Sequence, residues 1–243
     1  MERSELEGKG AIVTGGGTGI GQAIAMDLAA LGVSVLVTGR RQAPLEATVR
    51  AIEGAGGKAT WLAANVARQD DVNSILAAAL SGNKTVDILV NNAAISGSGA
   101  IHSHDVDVWD NVMATNLRGP FLLCRAVLPV MRAQQRGHIF NISSESGLEY
   151  YAGNGAYGVA KHALNALGEY IQRENQDLGI RVDTICPGMV VTPMSDGSVG
   201  LDRDKCLYPE DIAELVTWLV TRRPNVKIGR PVLIQTMENP WLR

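Results

Sequence analysis

Two side chains have the types and spacing to move a proton. Tyr157 and Lys161 stand four residues apart in Tyr157-Gly158-Val159-Ala160-Lys161, and an i, i+4 pair shares one face of a helix. A phenol normally titrates at about pH 10, too high to exchange protons readily at neutrality. A neighbouring ammonium stabilises the phenolate and lowers that value. Tyr157 would then donate a proton to a carbonyl oxygen or accept one from an alcohol. Taken alone the pair says little, because the same spacing is common on helix surfaces. Other residues must supply the reaction it serves.

Those residues begin near the start of the chain. An apolar run, Ala11–Thr14, leads into Gly15-Gly16-Gly17-Thr18-Gly19-Ile20-Gly21 and then into a helical pattern. Glycines allow a tight turn and a close backbone approach, and a helix N-terminus offers free N–H groups to an anion. The G-x-G-x-x-G spacing fits in no register, whereas Thr14, Gly15, Gly19 and Gly21 fit T-G-x-x-x-G-x-G. This is a cradle for a dinucleotide pyrophosphate, with a ligand-free glycine turn as the plainer alternative. A dinucleotide site usually places a carboxylate about 20 residues further on, gripping the adenosine ribose. Here the second apolar run ends Thr38-Gly39-Arg40-Arg41. Two guanidiniums and no carboxylate suit a 2′-phosphate, which points to NADP(H) and leaves NAD(H) open. Solvated charges at a helix start would read the same way.

The elements that hold these groups alternate. Ala11–Thr14, Val33–Thr38, Ala59–Ala63, Asp87–Val90, His138–Ile142, Ile180–Ile185 and Pro231–Ile234 read as buried strands. Gly19–Leu31, Pro44–Glu53, Gln69–Leu80, Arg118–Gln135, Ala156–Asp177 and Pro209–Thr221 carry apolar residues at helical spacing. The alternation predicts an α/β fold: one Rossmann-type domain over 1–243, doubly wound, with helices on both faces of a parallel seven-stranded sheet. Right-handed crossovers give the order 3-2-1-4-5-6-7. Ligands in such sheets bind beyond the carboxyl ends of the strands.

Combined in this order, the motifs resemble the short-chain dehydrogenase/reductase family, from roughly residue 6 to residue 234. Thr14-Gly15-x-x-x-Gly19-Ile20-Gly21 resembles its cofactor motif, and Asn91-Asn92-Ala93-Ala94 its N-N-A-G strand end. Asn141-Ile142-Ser143-Ser144 looks like its catalytic-serine strand end, with Tyr157 following Ser144 by 13 residues. Pro187-Gly188-x-x-x-Thr192 looks like the segment that holds the nicotinamide, and Asn116 matches a helix asparagine. The resemblance implies a carbonyl reductase or alcohol dehydrogenase. Ser144 would bond the substrate oxygen and Tyr157 would transfer the proton. Lys161 would hold the nicotinamide ribose and lower the phenol, and Asn116 would anchor a water linking Lys161 to solvent. It also implies cofactor contacts at Gly15, Gly17, Thr18, Gly19, Ile20, Arg40, Arg41, Asn65, Val66, Asn92, Pro187, Gly188, Val190 and Thr192, besides Tyr157 and Lys161. No metal is implied, because the cofactor carries the chemistry. Plainer readings stand beside these. Asn116 would be a buried helix residue, Thr192 an N-cap, and Ser143 rather than Ser144 would face the site, since adjacent strand residues point opposite ways.

The chain departs from the family pattern in places. Asn65 stands where relatives carry an aspartate beside adenine, and Ala94 replaces a glycine. The C-terminal run Ile234-Gln235-Thr236-Met237-Glu238-Asn239-Pro240-Trp241 replaces V-D-G-G. The substrate lid is expected at 193–207, only 15 residues, with Gly197 and Gly200 as hinges and a mobile pocket mouth. Ser146, Glu149, Asn154, Met189 and Met194 are candidate pocket walls. His102 and His104 form His-x-His with no third ligand in view, so no metal site is expected.

Composition excludes other classes. Among 243 residues, 22 basic against 25 acidic leave a net charge of −3, with no basic run for nucleic acid or a membrane surface. Cys124, Cys186 and Cys206 form no Cys-x-x-Cys pair. Their odd number fits a reducing compartment, and the charged Met1–Gly10 segment has no apolar leader core. The expectation is a cytoplasmic enzyme with a small carbonyl or alcohol substrate, without nucleic-acid or membrane partners. The resemblance adds a homotetramer or homodimer through the Arg118–Gln135 and Ala156–Asp177 helices. Substrates from 3-oxoacyl thioesters to steroids, sugars, terpenoid ketones and small diketones fit this chemistry. An NAD-preferring alcohol dehydrogenase and a non-catalytic NAD(P)-sensing regulator are the alternatives.

Overall fold

The structure, a computed structural model, describes residues 6–228 and 231–241. The ends of the expected 1–243 domain, including Met1–Glu5 of the charged N-terminal segment, lie outside those residues. Seven parallel strands form one sheet in the order β3-β2-β1-β4-β5-β6-β7. They are β1 (Gly10–Thr14), β2 (Ser34–Gly39), β3 (Lys58–Ala63), β4 (Ile88–Asn91), β5 (Gly137–Ile142), β6 (Ile180–Pro187) and β7 (Val232–Ile234). The register of β1 on β2 pairs Thr14 with Thr38, and that of β4 on β5 pairs Asn91 with Asn141, so the chemistry-bearing strand ends finish side by side.

Strand alternation explains the two cores. Val13, Val37, Val90 and Phe140 point to one face, while Ile12, Leu36, Leu89 and Ile139 point to the other. On the first face lie α1 (Gly19–Ala30), α2 (Gln42–Gly54) and α7 (Pro209–Val220), presenting Ile24 and Leu28, Leu45 and Ile52, and Ile212 and Val216. The second is covered by α3 (Gln69–Asn83), α5 (Gly119–Gln134) and α6 (Gly155–Asn175), through Val72 and Ile75, Leu123 and Met131, and Ile171. Central strands buried on both sides must read as continuous apolar runs, and these do. No helix among the described residues is long and apolar enough to cross a membrane.

One helix stands outside the expected pattern. Val106–Met113 forms α4, started by Asp105, whose carboxylate accepts the Val108 N–H at 3.0 Å. It runs through a π turn, Ala114–Arg118, into α5. Only Val112 of α4 is fully buried, where it meets Ala156 and Ala160 at the start of α6. This third, small core sets the position of the turn of α6 that carries Tyr157.

Candidate active site

A cleft of about 250 Å³ opens beyond the carboxyl ends of the strands. Its floor is the glycine loop between β1 and α1. Gly15 and Gly19 adopt φ of +64° and +56°, which side-chain-bearing residues rarely take. A Cβ on Gly19 would stand 3.0 Å from the Thr192 Cγ2, so the loop and the segment after β6 meet there. Thr18 occupies the N-cap position of α1 in extended conformation, and its side chain makes no capping bond. The first turn of α1 contains no acidic side chain. Thr18, Gly17 and Ile20 line the cleft beside the free end of that helix dipole.

Two side chains stitch this floor together. The Thr14 hydroxyl donates to the Val90 carbonyl and accepts the N–H groups of Asn92 and Ala93 at 3.0 Å each. Asn92 Nδ2 donates to the Thr14 and Gly15 carbonyls at 2.9 and 3.3 Å. Asn92, expected to touch cofactor, therefore lines the cleft with its amide committed to holding the loop.

At the far end Arg40 and Arg41 are exposed on the cleft rim. Neither makes an ion pair with a carboxylate among the described residues. Asn65 and Val66 form the adjoining wall. The Asn65 side-chain oxygen accepts the Ala67 N–H at 3.1 Å, and its backbone N–H donates to Asp71 at 2.7 Å. Sequence reasoning misses Asp71; its one signal is its position in the first turn of α3, within reach of the preceding loop.

The proton-transfer group gathers at the other end. Ser144 accepts the Ser146 N–H at 3.1 Å and is hydrogen-bonded to the Tyr157 hydroxyl. Ser143 turns away and donates to the Lys161 carbonyl at 3.3 Å. Alternation thus puts Ser144, not Ser143, with Tyr157. The Lys161 ammonium is 5.4 Å from the Tyr157 ring centre and donates to the Ile142 carbonyl at 2.8 Å. Lys161 is only 2% exposed, and burial pushes it down to about 8.

The expected lowering of the Tyr157 phenol is not found. Burial pushes it up to about 12, against the opposing hydrogen bond to Ser144, and Glu145 adds a smaller upward push. Removing the phenolate from water outweighs a cation that is itself buried and engaged elsewhere. Asn116 bridges the π turn and the loop after β4. It is fully buried in the π turn, with its amide oxygen accepting the Ile95 N–H and its amide nitrogen donating to the Ile95 carbonyl, both at 2.9 Å. Both ends of the side chain thus hold the loop after β4 against the π turn, where the regular helical ladder is interrupted.

The segment after β6 is mostly structural. Pro187 and Val190 are buried, with Val190 in the core under α7, so their side chains do not face the cleft. The Gly188 N–H donates to the Ile234 carbonyl at 2.8 Å and ties the segment to β7. Thr192 reaches the cleft; its N–H donates to the buried Ser195 hydroxyl at 3.0 Å, and that hydroxyl donates back to the Thr192 carbonyl.

The C-terminal run crosses the far end of the expected lid segment. Leu201 bridges Trp241 in antiparallel fashion, and the Asp202 N–H donates to the Pro240 carbonyl at 2.7 Å. Thr236 donates to the Lys205 carbonyl, and Lys205 pairs with Glu238 at 3.3 Å. The C-terminal run that replaces V-D-G-G therefore packs against Leu201, Asp202 and Lys205 of that segment. Among the expected walls, Met194 lines the cleft, Glu149 is exposed, and Ser146 accepts a hydrogen bond from Asn154 instead of presenting a free wall. Glu145, not singled out in the sequence, lies between Ser144 and the tail residue Gln235, whose amide donates to it at 2.6 Å.

A doubly wound parallel sheet, a glycine cradle at a helix start and a serine–tyrosine–lysine group at the next strand ends define a nucleotide-dependent oxidoreductase. The model of the short chain dehydrogenase family matches residues 9–199, and the chain belongs to that family, oxidoreductases acting on CH–OH donors. It is 33% identical to an uncharacterized oxidoreductase of Staphylococcus epidermidis, over 94% of this chain and 100% of that one. It is 38% identical to a 2-(R)-hydroxypropyl-CoM dehydrogenase of Xanthobacter autotrophicus, over 90% of this chain and 85% of the relative. The crystal structure of a metagenomic short-chain oxidoreductase in complex with NADP matches with a TM-score of 0.84 and 35% identity, over 96% and 99% of the two chains.

Proposed function

We propose that this chain is an NADP(H)-dependent carbonyl reductase, also able to run as an alcohol dehydrogenase, with Tyr157 as its acid and base. The observation that carries the reading is that Tyr157 and Lys161 line one cleft with the glycine cradle, with Ser144 acting on the Tyr157 hydroxyl. The cradle fits a dinucleotide because side chains at Gly15 or Gly19 would collide with its own walls. The unpaired Arg40 and Arg41 suit a 2′-phosphate and support NADP(H) over NAD(H).

When bound, the dinucleotide supplies or accepts the hydride. The protein's own groups do the rest. Ser144 Oγ holds the substrate oxygen and stabilises charge developing there. The Tyr157 hydroxyl gives its proton to that oxygen in reduction and recovers it in oxidation. A phenol raised by burial stays protonated at neutral pH, and an alkoxide is a far stronger base than a phenolate, so the proton passes readily to the reduced oxygen. Lys161 binds the ribose hydroxyls as a buried cation, and the π-turn backbone around Asn116 relays protons toward it. Gly15, Gly17, Thr18, Gly19 and Ile20 take the pyrophosphate, Asn65 and Val66 the adenine. Pro187, Gly188, Val190 and Thr192 border the nicotinamide through backbone and the Thr192 side chain, with Asn92 holding the floor. All four expected catalytic positions are filled, which disfavours a regulator without catalysis. Exposed Phe121 on α5, with Val159 and Tyr170 on α6, supports a homotetramer or homodimer through those helices. Three free, buried cysteines are compatible with the cytoplasm.

The test is NADPH and NADH titration of the wild type and of Arg40→Ala, followed by a ketone panel read by NADPH absorbance. Arg40→Ala is expected to weaken NADPH binding about tenfold and to leave NADH almost unchanged, as loss of one charge-assisted phosphate contact predicts. Equal NADPH affinity in the two proteins would remove the argument from Arg40.

A second expectation concerns pH. Lys161 is lowered to about 8 by burial, so its charge is present below that pH and lost above it. The kcat/KM for NADPH, which reports the free enzyme, should fall above pH 8 by about a factor of ten per unit. Lys161→Met should bind more weakly at every pH and lack this fall. A wild-type profile flat to pH 10 contradicts the assignment.

A further inference from the structure

Glu145 occupies a place that the chemistry above leaves unused. It follows Ser144 directly and opens the short 3-10 turn Glu145–Gly147. A Cβ on Gly188 would stand 3.3 Å from its Oε2, so the carboxylate lies over the strand end that leads to Thr192. Gln235 of the C-terminal run donates to the same oxygen at 2.6 Å. Tyr151, 47% exposed, lies near enough for Glu145 to raise its phenol. Both neighbours are neutral. Among the described residues no lysine, arginine or histidine forms an ion pair with Glu145. A half-buried carboxylate whose hydrogen-bond partner is a neutral amide leaves a place for a cationic ligand to pair with it. That charge is felt at the reacting group, because Glu145 pushes the Tyr157 phenol upward, and with Glu149 it does the same to Tyr151.

Resting on the reductase reading, we propose that Glu145 is the specificity-determining residue of this site. Its preferred substrates are carbonyl compounds, or the corresponding alcohols, that carry a cationic nitrogen near the reacting carbon. The Glu145 carboxylate attracts that nitrogen, and the exposed Tyr151 ring offers it a π face. Gln235 is a positioning residue: it aims the carboxylate, which gives the unusual C-terminal run a role in substrate choice. A substrate with its own carboxylate meets repulsion at the same point.

The experiment uses the full chain with NADPH and methyl ketones of matched size ending in trimethylammonium, tert-butyl, hydroxymethyl or carboxylate groups. Trimethylammonium and tert-butyl have nearly the same shape, so their kcat/KM ratio isolates charge. The expected ratio in the wild type is about ten or more, within what a partly screened contact pair supplies. In Glu145→Gln it should drop close to one, with NADPH affinity near wild type. Gln235→Met should lower the ratio part-way. A merely structural role would depress all four ketones together. A wild-type ratio near one, a ratio unchanged in Glu145→Gln, or a hydroxymethyl ketone preferred over the ammonium ketone overturns the inference and leaves the reductase reading intact. If no ketone of any charge is turned over by wild type that binds NADPH, the reductase reading fails and the inference falls with it.

Discussion

Tyr157→Phe is expected to lose NADPH-dependent ketone reduction by a factor on the order of 1,000, the range that a positioned general acid supplies. NADPH affinity should change less than about threefold, because the phosphate and ribose contacts assigned above lie elsewhere in the cleft. The substitution keeps the ring, its place in the first turns of α6 and its relation to Lys161, 5.4 Å away. What disappears is one oxygen, its hydrogen bond to Ser144 and the proton it would give to a substrate bound there. Losing a single hydrogen bond costs about 1 kcal/mol of stability, far too little to unfold the chain. Activity and binding measured on the same preparation therefore separate chemistry from folding. A fully active Tyr157→Phe protein rules out the phenol as the proton donor, and Ser144 and Lys161 would be left without the group they serve.

How far each feature is legible in the sequence depends on how local it is. The sheet order follows from short apolar runs, since strands such as Ile88–Asn91 are buried on both faces and need no polar alternation. The Ser144–Tyr157 pairing follows from spacing, because both sit within one strand–helix crossover. Helix α4 escapes such reading because it spans only eight residues, too short for its apolar face of Trp109, Val112 and Met113 to repeat over several turns. Burial is the missing ingredient at Tyr157. Sequence shows that Lys161 is near, but not that both groups are withdrawn from water, which reverses the expected direction of the shift. The packing of the C-terminal run on that segment is illegible for a different reason. Its contacts join Leu201 and Asp202 to Pro240 and Trp241, about 40 residues apart in sequence, and no periodicity announces such pairing. Hinge-like Gly197 and Gly200 do adopt positive φ there. Their permissive backbone makes the turns that the tail then crosses at Leu201 and Asp202.

Gly21→Ala carries the largest expected effect on the cradle. Helix propensity alone favours the change, since alanine is better than glycine inside a helix by about 1 kcal/mol, and Gly21 has no positive φ to protect. Space decides otherwise. The new Cβ would stand 2.4 Å from the Gly15 carbonyl oxygen and 2.4 Å from Asn92 Nδ2. Neither neighbour can retreat cheaply. The carbonyl belongs to a left-handed turn at φ +64°, and the Asn92 amide is held by the Thr14 and Gly15 carbonyls. Relieving the clash must shift the loop that would receive the pyrophosphate. Overpacking of this kind costs about 1–3 kcal/mol, so after the propensity gain net stability should fall by about 1 kcal/mol and NADPH binding by more than about tenfold. Gly82→Ala is the matched control, because a Cβ there, within α3, meets nothing within 4 Å. That variant should gain about 0.5–1 kcal/mol with unchanged NADPH affinity. Urea unfolding and NADPH fluorescence titration of the two variants decide between propensity and contact. If Gly21→Ala behaves like Gly82→Ala, the loop yields freely, and the close packing on which the dinucleotide assignment depends is not what holds it.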